Sequence, residues 1–426
     1  MTSTDTVHLV SKADNCENVT VSLPTAAAPA ELPPSSISVR PILLGLTSNN
    51  LSYARGGDLL HWWKTYPLPS TTPAPYNDPS RWGIVPAWGY ALVLQSNLPD
   101  IPSNSILWGY WPTATVPTML HLEPGDPSGH WIEVSSHRKP LMPLYNRYVQ
   151  VEAQDKDRMA WTALFQGVWI GGYLLSEAVF APDVQHQEPI HPLGAAVGLP
   201  WSAQDADLSS AVVVTLGAST KTARSFAWNL FHRPKTSGPV GFLQVTSSPA
   251  ALETAAKKSD WGGATKALAY TEIDQAAEWI AGLHPSKVVI VDCGARDSVL
   301  GQLCQAIQEH PVLQESNRMI LQVGSQQKVY TMDEVTAARA SMQAMGKIQY
   351  NTSGIQDTLI EREGAGAYFG KVSQRWEQWL DERDSVVPDM HVVWGEGIAG
   401  ENGIQGGWQR LATGSVRPEE GLIYTM

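Results

Sequence analysis

Several features that would place a protein in a class are scarce or missing from this 426-residue sequence. Its three cysteines, Cys16, Cys293 and Cys304, are too few and too scattered for a disulfide framework or a zinc knuckle. Charged residues make up only 16% of the chain, the net charge is -12 and no basic run exists, which argues against nucleic acid or an anionic membrane as a partner. No apolar run reaches membrane-spanning length, and the polar N-terminus lacks the apolar core of a secretory signal. We therefore expect a cytoplasmic protein.

Catalytic and metal-binding motifs are also missing. No G-x-S-x-G sequence occurs, so a hydrolase of the α/β type would have no visible nucleophile. The spacing of His186, Glu188 and His191 resembles a metal motif, but Pro189 and Pro192 prevent one helix face from presenting the ligands. The sequence therefore predicts no metal site.

The one literal G-x-G-x-x-G sequence lies at residues 395–400. It follows a predicted strand, but Glu396 and Glu401 would face the phosphates, and the residues after it do not predict a good helix. With so little chain left, a βαβ unit could not close there. We interpret this segment as a loop, not as a nucleotide site.

The length is sufficient for two domains, or for one large domain with additions, and the hydrophobic content of 43%, with 17 tryptophans, predicts a well-packed globular protein. Residues 1–35 end in a low-complexity stretch and are expected to form a disordered tail. The next part of the chain, to about residue 155, contains short β runs separated by proline and glycine, which indicates a small β-barrel. These runs are residues 39–46, 87–95, 106–111, 118–122 and 131–134.

Strands and helices alternate in the following part of the chain, which predicts an α/β fold with a doubly wound parallel sheet. We place this second domain at residues 156–402, including C-terminal helical additions. A last segment, residues 403–426, contains a strand that is expected to return to the first domain.

The most informative stretch is a strand–turn–helix–strand unit beginning at Ala211–Leu216. Its turn is small and hydroxylic, and it precedes a helical pattern and then a second buried strand, residues 240–245. Parallel sheets hold phosphates at such a turn, because the helix N–H groups and the positive end of the dipole face an anion. Candidate cofactor-binding residues in the turn are Gly217, Ser219, Thr220, Lys221 and Thr222. The other interpretation is an ordinary turn capped by Ser or Thr.

The second strand of this unit ends in Thr246, Ser247 and Ser248. NAD-binding domains place Asp or Glu at this position to hold the ribose 2′-OH. Hydroxyl groups without an acid suit a 2′-phosphate better. If a dinucleotide binds, we therefore expect NADP.

The barrel region contains one polar loop, with Asn50 and Tyr53, followed by an aromatic segment. Tyr can donate a proton to a developing enolate and Asn can orient a carbonyl, although packing and turn roles are equally open for both. Four tryptophans could form the wall of a pocket for a flat substrate, or simply belong to the core. They are Trp62, Trp63, Trp88 and Trp111.

Several motifs together resemble a known family. They are residues 46–54, 86–89, 109–112, 145–148 and 217–223. In its order of parts the chain is similar to the zinc-free medium-chain dehydrogenase/reductase superfamily, which includes quinone oxidoreductases and enoyl reductases. More closely, it resembles a fungal and bacterial family of unknown function that is distantly related to that superfamily. This resemblance implies a GroES-like β-barrel domain plus a Rossmann-type domain, an active site in the cleft between them, and Tyr53 as the nearest candidate for a proton donor.

These observations lead to three functional hypotheses. The first is a zinc-independent, NADPH-dependent reductase of a small, conjugated, apolar substrate of enoyl or quinone type, in secondary metabolism. The second is a cofactor-independent isomerase, lyase, hydrolase or cyclase on the same fold, favoured by the departures from the usual glycine-rich turn. A non-catalytic binding protein is the weakest of the three. The sequence leaves the oligomeric state open, with a homodimer as one option.

Overall fold

A computed structural model describes residues 4–25, 31–152, 155–296 and 298–426. The chain divides into two compact units. One takes in the chain up to Gly167 together with Gln327–Tyr330 and His391–Met426, and the other comprises Val168–Gln326 and Thr331–Met390. The boundaries predicted from the sequence, at residues 155/156 and 402/403, each lie 12 residues from the observed ones. The short segment Gln327–Tyr330 of the first unit was not predicted.

The first unit is built from strands, helices and short 3₁₀ turns. Its elements up to the crossover are β1 (Thr4–Ser11), β2 (Asn18–Pro24), β3 (Ser36–Leu46), α1 (Ser48–Arg55), β4 (Trp82–Gly83), β5 (Ala87–Ser96), β6 (Ile106–Trp111), β7 (Thr118–Pro124), β8 (His130–Glu133), β9 (Arg147–Val151) and α2 (Lys156–Leu174). Helix α2 continues across Gly167 without a break, which explains why sequence patterns did not locate the boundary there.

Six of these strands close into a barrel in the order β3-β5-β6-β9-β8-β7, because β7 also pairs with β3. The five β runs predicted from proline and glycine spacing all correspond to barrel strands. Only β9 was missed. Fully buried apolar side chains of the barrel strands, such as Val39, Leu44 and Leu107, belong to the core of the first unit.

The expectation that residues 1–35 form a disordered tail is corrected by the structure. Strands β1 and β2 pair in antiparallel register, and β1 also pairs with β4. The physical reason is an apolar pattern that outweighs the polar composition: Val7, Leu9 and Val10 are completely buried in the core of the first unit. Residues 1–3 and 26–30 of the expected tail lie outside the described residues.

The second unit alternates strands and helices. Its elements are α3 (Ala203–Ala206), β10 (Ala211–Leu216), α4 (Lys221–Phe231), β11 (Gly241–Thr246), α5 (Pro249–Lys258), β12 (Ala264–Ala269), α6 (Ala276–Ala281), β13 (Lys287–Cys293), α7 (Val299–Glu309), β14 (Asn317–Gly324), α8 (Met332–Ala344), β15 (Ile348–Gln349), α9 (Thr352–Glu363) and α10 (Ala365–Val386). The strands form one parallel sheet in the order β12-β11-β10-β13-β14-β15. This is the doubly wound arrangement. Strands β11 and β12 are added on one side of β10, and β13, β14 and β15 are added on its other side, so the order of the strands reverses between β10 and β13.

The chain returns to the first unit through β16 (His391–Glu396), α11 (Ile404–Ala412) and β17 (Glu420–Thr425). Strand β16 lies parallel to β17, which in turn pairs antiparallel with β3. The returning strand is therefore confirmed. The view that no helix follows the glycine motif at 395–400 is wrong, since α11 and β17 complete a βαβ unit.

That motif nevertheless differs from a phosphate-binding turn, because the amide groups of two of its glycines already donate to residues of α11 and β17. The Gly397 N–H donates to the Thr425 carbonyl at 2.7 Å, and the Gly400 N–H donates to the Gln405 side-chain oxygen at 3.0 Å. A phosphate would need those donors free. None of the helices in the described ranges is both long enough and apolar enough to cross a membrane.

Candidate active site

The turn between β10 and α4 lies where the winding direction of the sheet reverses. Gly217 follows β10 with a φ of +70°, and the Thr220 N–H donates to its carbonyl at 3.0 Å. Thr220 then caps α4, its hydroxyl accepting from the Ala223 N–H at 3.4 Å. This geometry aims the first turn of α4 at the carboxyl edge of the sheet, which is the position that favours an anion.

Gly217 is required by its surroundings. A Cβ atom there would lie 3.2 Å from the Gly294 carbonyl oxygen and 3.3 Å from that of Cys293, both at the end of β13. A side chain would also be strained at a positive φ. The glycine therefore serves the close approach of the turn to the neighbouring strand, which is the role of the first glycine in a dinucleotide turn.

The second and third glycines of such a turn are replaced by Ser219 and Thr222. In Rossmann domains the third glycine allows close helix packing. Here the Thr222 hydroxyl donates to the Val168 carbonyl at 3.3 Å, and Gly172 on α2 lies so close to α4 that a Cβ would meet the backbone of Thr222 and Phe226. The glycine that permits close packing has thus moved from α4 to α2.

Two cations support the turn from α4. Burial lowers the pKa of Lys221 to about 8, and the nearby Arg224 adds to the shift. Arg224 is itself buried: its Nε donates to the Ser219 carbonyl at 3.0 Å, and its two terminal nitrogens bind the Asp389 carboxylate at 2.7 Å each. The ion pair therefore fixes the backbone of the turn, while the half-buried Lys221 contributes the titratable charge.

The opposite side of the edge is formed by the end of β13. The Asp292 carboxylate accepts from the N–H groups of Gly294 and Ala295 at 3.1 and 2.8 Å, and it lies 3.6 Å from Lys347. Burial raises the pKa of the Cys293 thiol, with Asp292 adding to the rise and a Thr220 hydrogen bond opposing it. The thiol is thus protonated at neutral pH and is no candidate nucleophile.

Tyr270 and Arg296 also lie at this edge, and neither was identified from the sequence. Burial raises the pKa of Tyr270, against the effects of Arg296 and of a hydrogen bond from the Gly217 backbone. The Arg296 guanidinium lies 5.0 Å from the centre of the Tyr270 ring. The sequence signal for each was its position after a strand, since Tyr270 directly follows β12 and Arg296 lies three residues beyond the end of β13.

The hydroxyl residues at the end of β11 differ in accessibility. Thr246 is buried and accepts from the Ser248 N–H at 3.2 Å, whereas Ser247 is exposed. Ser248 begins α5 without capping it through its side chain. No acidic residue occurs from Thr246 until Glu253 on α5. The start of this helix therefore also lacks the acid with which NAD-binding domains hold the ribose.

In the first unit, the predicted catalytic residues are deeply buried. The Tyr53 hydroxyl accepts from Asn49 at 2.7 Å and from the Trp88 indole at 2.9 Å, and burial raises its pKa to about 12. Asn50 accepts from the Thr47 N–H at 2.7 Å and donates to the Pro86 carbonyl at 2.9 Å. Asn50 therefore holds the start of α1 in place, and proton donation by Tyr53 stays a prediction.

The four predicted substrate-binding tryptophans lie in the core of the first unit, each no more than 8% exposed. Trp62 packs edge-on against Tyr53 at 4.9 Å, and Trp88 donates to the same tyrosine. Trp63 packs beneath Lys12, and Trp111 donates to the Gly89 carbonyl. Tyr53, Trp62 and Trp88 are thus brought together, and a substrate role for the four tryptophans stays a prediction.

No metal site accompanies these residues: in the part of the chain that the structure describes, no group of three or more His, Cys, Asp or Glu is placed to hold an ion. In the H-x-E-x-x-H segment, the His186 ring contacts Asp183 at 2.8 Å and Glu188 pairs with Arg362 at 3.3 Å. The buried His191 accepts from the Leu193 N–H at 3.1 Å. Each of these three side chains therefore contacts a different partner.

A family model described as a protein of unknown function, DUF2855, matches residues 44–417. Among curated proteins, no sequence matches the chain.

Solved structures of similar fold include a protein in complex with NADPH and an enoyl thioester reductase. CurA from Vibrio vulnificus in complex with NADPH has a TM-score of 0.52 at 9% identity, with 99% of each chain covered. A mutant form of enoyl thioester reductase from Candida tropicalis has a TM-score of 0.50 at 10% identity, and a complex of Etr1p with NADP and crotonyl-CoA has 0.51 at 11%, both with full coverage of each chain. At this identity the likeness shows the fold, and it confirms the predicted GroES-like barrel and Rossmann-type domains.

Proposed function

The chain belongs to the DUF2855 family of proteins of unknown function, and we propose that it is an NADPH-dependent reductase of a small, conjugated, apolar substrate of enoyl or quinone type. The observation that carries the proposal is the turn between β10 and α4. It enters a helix at the reversal point of a doubly wound sheet, with a glycine at positive φ and a cation in the first helical turn. This combination favours a pyrophosphate.

The residues of the turn fit the anionic part of the cofactor. Gly217 lets the turn approach the end of β13 closely, and the first turn of α4 supplies amide donors. The hydroxyls of Ser219 and Thr220 and the ammonium group of Lys221 would hold the pyrophosphate, while Thr222 is already bonded to α2. At the end of β11, Ser247 and Ser248 would bind the 2′-phosphate, with the buried Thr246 fixing the backbone between them.

When bound, NADPH supplies a hydride to the conjugated substrate. The complementary proton has two candidate sources, water and Tyr53. At a pKa of about 12, Tyr53 keeps its proton at neutral pH and therefore has one to donate. Its bonds to Asn49 and Trp88 direct two donors at the oxygen, which would stabilise the anion left behind.

A cofactor-independent enzyme on the same fold is the second candidate, favoured by one observation. Ser219 and Thr222 carry side chains at positions where dinucleotide turns have glycine. The glycine at the position of Ser219 normally allows the backbone to approach the pyrophosphate. Such an enzyme would retain the apolar core and the fold while using neither hydride nor nucleotide.

The two candidates differ in an assay of turnover. Purified protein is incubated with NADPH and a panel of 2-enoyl thioesters and quinones, and consumption of NADPH is followed by its absorbance. Lys221→Met should raise the KM for NADPH by about tenfold if the ammonium group contacts a phosphate. Thr254→Met, on the exposed side of α5, is the matched control and should leave the KM unchanged. Turnover of any substrate without NADPH, unaffected by Lys221→Met, would favour the second candidate.

Some finer statements rest on the sequence alone. The place in secondary metabolism, zinc independence, the cytoplasmic location and the homodimer remain predictions.

A further inference from the structure

Strand β16 lies at the outer edge of the eight-stranded sheet that includes the barrel, and among the described strands only β17 pairs with it. The two strands are parallel, and the His391 N–H donates to the Glu419 carbonyl at 2.9 Å where their ladder begins. In a strand, the N–H and C=O groups of one residue point to the same side, and those of the next residue point to the other side. The odd-numbered residues of β16 therefore bond to β17, whereas Val392, Trp394 and Glu396 direct their main-chain groups outward.

The outward groups at the centre of this edge are open. Within the described ranges, no hydrogen bond reaches the N–H or C=O of Val392 or Trp394. The two ends of the edge are closed by local bonds, since the Met390 N–H donates to the Val387 carbonyl at 3.0 Å. The Glu396 N–H likewise donates to a carbonyl of the following turn at 3.0 Å. The open part of the edge is thus the short centre of the strand.

The side chains at this centre are apolar. Trp394 is 43% exposed, and Val392 lies on the same face of the strand. Val393 points to the other face and packs against the core of the first unit. The Lys156 ammonium group lies 4.4 Å from the centre of the Trp394 ring. An apolar edge strand with open main-chain groups is a site at which another strand can add to the sheet.

The donors that are already used select one register for a second copy of β16. Two copies related by a two-fold axis would run antiparallel and form hydrogen-bonded pairs between their outward-facing residues. A ladder centred on Val393 pairs Val392 with Trp394 of the second copy and uses only open groups. A ladder centred on Val392 would need the Met390 N–H, and one centred on Trp394 would need the Glu396 N–H. One register therefore satisfies every open group of both copies.

We propose that β16 is the contact strand of a homodimer, in which two copies pair antiparallel about Val393. Each copy donates from the N–H groups of Val392 and Trp394 and accepts at their carbonyls. The Trp394 ring of one copy lies beside Val392 of the other, and aromatic and β-branched side chains form a favourable cross-strand pair. The inference does not depend on the cofactor or on the proposed reaction.

The charged residues of the strand are compatible with this pairing. In the register centred on Val393, Glu396 stands opposite Met390 of the second copy, and His391 stands opposite Gly395. Like charges therefore do not face each other directly, which would be destabilising. A longer strand from another protein would meet donors that are already used at both ends of the edge. A second copy of this chain is thus the occupant that fits.

The test is sedimentation velocity of the full chain over a series of concentrations from about 1 to 300 µM. Because the contact is small, we expect a reversible monomer–dimer equilibrium with a Kd of about 10–100 µM. Val392→Pro removes an N–H that the β16–β17 ladder does not use, and it should weaken dimerisation at least about tenfold. Val392→Ile keeps the N–H and the branched shape, and this matched control should dimerise like the wild type. A protein that stays monomeric, or equal dimerisation of Val392→Pro, would overturn the proposal.

Cross-linking tests the register and decides the matter if Val392→Pro fails to fold, as judged by circular dichroism. Val393→Cys places two thiols at the two-fold axis, where Cα atoms about 4.5 Å apart permit a disulfide. His391→Cys is the control, because its two copies would stand about 14 Å apart in this register. The half-buried Cys16 is present in both variants. Mild oxidation should give a covalent dimer of Val393→Cys alone. No covalent dimer of Val393→Cys, or equal yields from the two variants, would contradict the assignment.

Discussion

The ion pair between Arg224 and Asp389 offers a sharp test of how the turn is held. Asp389→Asn keeps the shape of the side chain but leaves the Arg224 guanidinium without a counter-charge. The Arg224 side chain is only 1% exposed, so water cannot readily replace the carboxylate. Breaking a fully buried pair costs about 3–5 kcal/mol. Because the Asp389 side chain is 20% exposed, we expect a smaller loss, about 2–3 kcal/mol of unfolding free energy.

The loss can be measured by urea unfolding followed by far-ultraviolet circular dichroism, with the two units treated as separate transitions if the curve requires it. Asp384→Asn is the matched control, because the Asp384 side chain is 90% exposed and lies 3.7 Å from Arg383. That change should alter stability by no more than about 0.5 kcal/mol. If Asp389→Asn is as mild as the control, then Arg224 is solvated, and the ion pair does not anchor the turn.

Three further predictions concern single residues. Gly217→Ala should destabilise by about 1 kcal/mol more than Gly198→Ala, because both have a positive φ but only Gly217 has backbone atoms within 4 Å of the added Cβ. Equal losses in thermal unfolding would show that the turn does not need a close approach. Tyr53→Phe leaves two donors without their acceptor and should cost about 1–3 kcal/mol of unfolding free energy. A large fall in kcat with unchanged stability would instead mark Tyr53 as a catalytic proton donor. The Lys221 ammonium is charged below its pKa of about 8, so NADPH affinity should fall about fivefold as the pH rises from about 7 to 9. The profile should be flat in Lys221→Met, and an identical fall in that variant would exclude Lys221 as its origin.

The sequence predicted the parts of the fold that depend on local pattern. Continuous apolar runs such as Ala211–Leu216 indicated buried parallel strands, and all six residues of that strand are buried. Proline and glycine spacing located most of the barrel strands. The hairpin β1–β2 was missed because its polar residues and the low-complexity stretch after it outweighed the apolar alternation in Val7 and Leu9.

Helix α11 was missed for a related reason. Gly406 and Gly407 look like helix breakers, but Gly407 lies where a Cβ would meet the Tyr424 side chain and Leu46. Close packing against β17 and β3 therefore requires a glycine in this helix. Local propensity cannot report a contact of that kind, because the partner residues are distant in sequence.

The candidate site shows the same limit. Gly217, Thr220 and Lys221 were found because they are adjacent and follow a strand. Asp389 lies 165 residues from Arg224, and no single-sequence pattern connects the two. The hydrogen bonds of Asn50 to Thr47 and Pro86 give this residue a structural role. From the sequence alone, Asn50 could not be distinguished from a catalytic amide.

The measurement that tests the account most directly is a titration of the purified protein with NADPH, read as energy transfer from tryptophan to the nicotinamide, with NADH as the control. The account predicts saturable binding that is tighter for NADPH than for NADH, because the end of β11 offers hydroxyls and no acid. Equal affinity would refute the assignment of Ser247 and Ser248 to a 2′-phosphate. Absence of binding at millimolar cofactor would contradict the reductase itself and leave the cofactor-independent enzyme.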